Sequence, residues 1–138
     1  MKIRCDFVTN SSSTSFVAWG IDLNISEIKR KKKLLNRIWD KYSSTHVFPE
    51  VFLEYKTPEE LLSDIQIFAE VFMTFLEEET DLTYASDFEI GAFFVGKSPF
   101  AMEEHQTLGE FKAEIRRSLR KIGIRNPQIG EICADVPR

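Results

Sequence analysis

The sequence predicts an α+β domain, an antiparallel or mixed sheet of four to five strands with an N-terminal hairpin, packed against three helices. Three observations carry this reading. Residues near the N-terminus alternate between apolar and polar with a period of two, two capping boxes and a Thr-Pro cap open long apolar repeats of helical period, and the run Phe88 to Gly96 is dense in Phe and Val. At 138 residues the chain is expected to fold as one domain over its whole length, 1–138.

Taken in order, Lys2 to Val8 alternates as a strand, with Ile3, Cys5 and Phe7 on one face. A second alternation begins at Phe16 and carries Val17, Trp19 and Ile21 on one side. The intervening Thr9 to Ser15, all small and hydrogen-bonding, reads as the tip of a hairpin. Asn24 followed by Glu27 has capping-box spacing, and Ile28, Leu35, Ile38, Trp39 and Tyr42 then predict a helix over about residues 25–42. Val47 to Lys56 reads as a short extended run, with Pro49 demoting it to an edge or an interrupted strand. Thr57-Pro58-Glu59-Glu60 supplies an N-cap, a proline at the first helical position and a glutamate three residues after the cap. Leu61, Leu62, Ile65, Phe68, Ala69, Phe72, Phe75 and Leu76 then predict one long helix as the spine of the core. It ends in Glu77-Glu78-Glu79, where each exposed carboxylate opposes the helix dipole at about 0.3–1 kcal/mol. Phe88 to Gly96 reads as a central strand. Thr107-Leu108-Gly109-Glu110 opens a third helix that Gly123 closes, and Ile129 to Cys133 reads as a last strand.

The net charge is −4, but it is unevenly spread. Residues 1–50 hold 9 Lys/Arg against 5 Asp/Glu, residues 51–110 hold 2 against 14, and residues 111–138 hold 7 against 3. Such segregation either gives different faces different partners or lets acidic and basic helices neutralise each other. No apolar run approaches 18 residues, and the N-terminus has no apolar signal region, so the expectation is a cytoplasmic protein with no membrane partner. Two cysteines, Cys5 and Cys133, are too few for a disulfide framework or a zinc site, and two buried thiols are expected.

Lys2-Ile3-Arg4, followed by Asp6-Phe7-Val8-Thr9-Asn10-Ser11-Ser12-Ser13-Thr14-Ser15-Phe16, resembles the N-terminal signature of a family of small uncharacterised proteins from Firmicutes and their phages. Here Thr14 interrupts the serine run. Val95-Gly96-Lys97-Ser98-Pro99 with Thr107 to Lys112 is similar to a second block found in some of these proteins, with Gln106 where an acidic residue usually stands. The resemblance covers about a third of the chain. It implies a bacterial or phage setting and no particular activity. Within its first block, Asn10, Ser11, Ser12 and Ser13 form a loop that could hold phosphate or be phosphorylated, or that only fixes a turn.

Catalytic signals are sparse. His46 and His105 are the only histidines, each beside a helix in a connecting segment, and a hydrolase would have to build a Cys5–His dyad from them. No glycine-rich phosphate loop, dinucleotide fingerprint or metal-coordinating loop is present, so neither a cofactor nor a metal is expected. Charged surfaces remain. The acidic segment offers Glu70, Glu77, Glu78, Glu79 and Asp81 as contacts for a protein partner, for example in an inhibitor that stands in for nucleic acid. The basic runs Lys29 to Lys33 and Arg116 to Arg125 offer Lys29, Arg30, Lys32, Lys33, Arg116, Arg117 and Arg120 to phosphates, provided both runs face the same way. The expectation is a non-enzymatic protein that binds a macromolecule through charged helical surfaces. A protein partner stands first, direct nucleic-acid binding second and a small hydrolase third.

Overall fold

The computed structural model describes residues 13–87 and 89–137. In chain order these form β1 (Ser13–Asn24), α1 (Ile25–Arg30), α2 (Lys32–Ser43), α3 (Pro49–Glu54), α4 (Pro58–Ser63), α5 (Ile65–Glu79), β2 (Thr83–Asp87), β3 (Ala92–Lys97), α6 (Leu108–Lys121) and β4 (Gly130–Pro137), with a single 3-10 turn at Pro99–Ala101. The class is α+β. The described strands make one antiparallel sheet in the order β2-β3-β1-β4.

The long strand β1 organises the sheet. Its second half pairs with β3, from Trp19 opposite Lys97 to Asn24 opposite Ala92, and its first half pairs with β4. Strand alternation then puts Ile21 and Leu23 on one face beside their partners Val95 and Phe93. All four are buried in the same apolar cluster as Leu35 and Ile38 of α2, Phe68, Phe72 and Phe75 of α5, and Phe111, Ile115 and Leu119 of α6. An aromatic knot holds the centre. Phe72 stacks on Phe68 at 5.6 Å between centroids and meets Tyr84 and Phe93 edge-on at 5.8 and 6.0 Å. Where β1 and β3 cross, Gly20 faces Gly96. A Cβ on Gly20 would run into the Val95 carbonyl, and one on Gly96 into the Trp19 carbonyl. Glycine is therefore required here by close backbone approach.

The local signals hold where they are self-contained. Asn24 accepts from the Glu27 N–H at 2.8 Å and Glu27 accepts in return from the Asn24 N–H, closing a capping box on α1. Thr107 and Glu110 do the same on α6, while Thr57 caps α4 with Pro58 at its first position. β4 lies where a last strand is expected and extends to Pro137.

Several elements differ from expectation. The first helix is two helices, broken at Lys31, and the long spine is α4 and α5, broken at Asp64, whose carboxylate caps the Ile67 N–H. The run Val47 to Lys56 is not extended. Pro49 starts α3 instead, and Phe48 and Phe52 pack edge-on against Tyr42 and Trp39 at 5.3 and 4.9 Å. The central strand is shorter than expected, beginning at Ala92, because Gly91 turns the chain at φ +63° and leads back to β2. Among the described residues six helices thus stand in place of three. Ser13 to Ser15, read as loop, belong to β1, while the proposed strand Lys2 to Val8 and the loop positions Asn10, Ser11 and Ser12 lie outside the described residues.

Candidate functional site

The basic runs meet at two interrupted helix ends. α1 stops at Arg30 because Lys31 leaves helical geometry, with ψ at 71°, and its N–H turns back to the Ile28 carbonyl at 2.9 Å. α2 starts immediately afterwards, so Arg30, Lys31, Lys32 and Lys33 wrap a corner instead of spiralling round one helix. From the other side, α6 closes with paired reverse hydrogen bonds. The Gly123 N–H reaches the Arg120 carbonyl at 3.1 Å, and the Ile124 N–H reaches the Leu119 carbonyl at 3.0 Å. This Schellman geometry needs a left-handed residue, which Gly123 supplies at φ +101°. Ile122 and Ile124 are buried on either side of it and pin the turn to the core. A Cβ at position 123 would stand 3.3 Å from the Leu34 nitrogen, tighter than ordinary contact, so glycine lets the turn lie on the first turn of α2 without displacing it.

This contact creates an open hollow of about 280 Å³ lined by Arg30, Lys31, Lys32, Lys33, Gly123 and Arg125. Among the described residues no carboxylate lines it, although Lys31 and Arg125 also border an adjoining hollow that holds Asp22 and Glu27. Lys32 reaches out to Glu59 at 3.1 Å, and the Arg30 Nε donates to the Ser26 carbonyl. The Glu59 carboxyl is held below its ordinary value by its own backbone N–H and by Lys32. Lys31, Lys33 and Arg125 have no ion-pair partner among the described residues. Farther along α2, Arg37 donates to the Lys121 carbonyl and ties the end of α6 to the same face.

Of the expected phosphate contacts, Arg30, Lys32 and Lys33 line this hollow, and Lys29 lies exposed on α1 beside them. Arg117 lies elsewhere, in a second hollow of about 270 Å³ that mixes charges with Asp81, Lys97 and Glu114. Arg120 is exposed and Arg116 half-buried, and neither lines the basic hollow. Lys31 and Arg125 belong to the expected runs but not to the expected contacts. Arg37 was absent from both, although its position four residues after Lys33 puts it on the same helical face.

The acidic group is partly neutralised within the fold. Lys41 meets Glu78 at 2.8 Å and Glu79 at 2.5 Å, supplying the positive charge that the end of α5 calls for. Partial burial works against the charged form of Lys41, but the two carboxylates outweigh it and hold its pKa above the ordinary lysine range. Asp81 pairs with Lys97 at 2.8 Å. Glu70 and Glu77 remain exposed. Beside this cluster the buried Tyr42 hydroxyl has no hydrogen-bond partner among the described residues, and burial followed by the charge of Glu78 pushes its pKa up to about 12.

These pairs predict an acid-labile edge to stability. Glu79 is held below the ordinary glutamate range chiefly by the Lys41 hydrogen bond, and Asp81 below the ordinary aspartate range chiefly by Lys97. A depressed carboxyl stabilises the fold above its unfolded pKa, and that contribution is lost as pH falls through the lower folded value. Thermal melts should therefore show Tm falling below about pH 4.5, each partly exposed pair contributing at most about 1 kcal/mol. Lys41→Met should reduce or reverse the Glu79 share, because the crowded carboxylates then gain from protonation. A melt series identical to wild type would overturn this assignment.

His46 and His105 are both exposed, and Cys5, the third member of the hydrolase reading, lies outside the described residues. Cys133 is half-buried on β4, not buried. Among the described residues, no three or more His, Cys, Asp and Glu side chains gather as metal ligands, and no helix is long and apolar enough to cross a membrane. No family model, curated protein or solved structure matches this chain.

Proposed function

We propose that this is a non-enzymatic binding protein whose basic face, built from the α1–α2 corner and the end of α6, engages the phosphate backbone of a nucleic acid. One observation carries the reading. In a chain of net charge −4, cations from two distant segments converge on one hollow with no carboxylate on its lining among the described residues. Mutual repulsion among such groups has to be offset by packing elsewhere, whereas a polyanion relieves it and releases its own condensed counterions. The described Lys, Arg, Asp, Glu and His side chains all lie at least partly at the surface, which suits recognition by surface charge.

The test is a salt titration of binding to a short labelled duplex and a single strand. Affinity should fall linearly with salt on logarithmic axes, with a slope of about −3 to −4 for roughly four phosphate contacts. A slope near zero, or no binding at low salt, would sink the reading.

A second reading keeps the protein partner. Glu70, Met73 and Glu77 share the exposed side of α5 at helical spacing, and Met73 is 40% exposed. An inhibitor acting by occlusion would use this stripe, with Glu78, Glu79 and Asp81 entering only if their lysines are displaced. Reversing Glu70 and Glu77 would abolish capture of a protein partner and leave the salt titration unchanged.

A further inference from the structure

We propose that the basic hollow seats a terminal phosphomonoester, the phosphorylated end of a nucleic-acid strand, in preference to an internal phosphodiester. The inference rests on the nucleic-acid reading above and narrows its ligand. Three segments bring charge to one point: Arg30 and Lys31 from the end of α1, Lys33 from the start of α2, and Arg125 from the turn after α6. Lys32, tied to Glu59, adds little net charge. Four cations around one hollow exceed what a single diester, with one negative charge, can neutralise. A monoester carries about −1.5 to −2 at neutral pH and three acceptor oxygens, which suits several donors converging from different sides.

Shape argues the same way. A phosphate inside a strand is flanked by sugar on both sides and runs along a groove, whereas a terminal one is flanked on one side only and can reach into a corner. This site is a corner, with the α1–α2 break on one side and the glycine turn lying on the other. The Arg125 guanidinium, exposed and without an ion-pair partner among the described residues, supplies a planar pair of donors for two phosphate oxygens.

The experiment compares the full chain binding the same short oligonucleotide with a 5′-phosphate, a 3′-phosphate and hydroxyls at both ends, by fluorescence anisotropy at fixed salt. At least one phosphorylated form should bind about tenfold more tightly, the factor that one charge-assisted hydrogen bond supplies. Arg125→Gln and Lys31→Gln should each remove that preference and flatten the salt slope of the hydroxyl-ended strand by only about 1, with the thermal midpoint close to wild type. Equal affinity for all three ends would overturn this inference, and a surviving salt slope would show that the backbone reading stands without it. Loss of both would remove the two together. Stronger displacement by a phosphoserine peptide than by the phosphorylated oligonucleotide would also overturn it, in favour of a phosphoprotein ligand.

Discussion

Replacing Arg30, Lys31, Lys33 and Arg125 together by Gln should weaken nucleic-acid binding by about two to three orders of magnitude near 0.1 M salt and flatten its salt slope by about 3 to 4. The loss should be shared by all sequences, because phosphate contacts position a duplex without reading its bases. Removing charge of the same sign elsewhere provides the control. Lys56 is exposed before α4, and Arg117 lies in the mixed-charge hollow beside Asp81 and Glu114. Gln at both of these positions should cost far less affinity. None of these side chains is buried, so the variants should melt within about 0.5 kcal/mol of wild type. The Arg37 anchor on the Lys121 carbonyl is untouched by these changes. Equal losses from the two variant sets would mean that only net charge matters and that the face has no privileged role.

The second large effect lies in the core. Phe72→Ala should destabilise the protein by about 3–5 kcal/mol, a major part of the roughly 5–15 kcal/mol that holds a domain of this kind together. Phe72 is fully buried and touches three other aromatic rings from α5, β2 and β3, so its removal opens a cavity where helix and sheet layers meet. Urea unfolding should show a lower midpoint with an unchanged slope. Phe100→Ala makes the contrast, because Phe100 is 98% exposed and its loss should leave the midpoint within error. A mild Phe72→Ala would show that the aromatic knot is not the centre of stability.

Much of this architecture could be read directly from the residues, and the reason is range. The capping pairs Asn24–Glu27, Thr57–Glu60 and Thr107–Glu110 act over three residues, so composition and spacing specify them without the rest of the fold. The Gly123 stop and the strand near Ile129 are legible for the same reason. The break at Lys31 has no such signal. Neither glycine nor proline stands there, and the apolar pattern from Ile28 to Leu35 suits a continuous helix. What accompanies the bend is distant: Gly123 lies against Leu34, and Lys32 reaches Glu59. Asp64 is a good cap by type, but it was hidden inside an apolar repeat that suits one long helix as well as two. β2 carries no clear sequence signal because Thr83 to Asp87 sits at the sheet edge with little apolar alternation.

The candidate site follows the same division. That positive charge clusters in residues 29–33 and 116–125 was plain from the chain alone, as was its segregation from the acidic segment. Which of these cations face one another was decided only in three dimensions. A helix of unbroken period would have spread Lys29 to Lys33 around its circumference, and α6 would have carried Arg117 and Arg125 toward a shared face. Instead the bend at Lys31 and the turn at Gly123 bring Arg125 to Arg30 and leave Arg117 among carboxylates. Residue type determines how much charge there is. Backbone geometry at two helix ends, set by contacts across some ninety residues of chain, determines where it is concentrated, because a side chain can reach only from where its backbone is held.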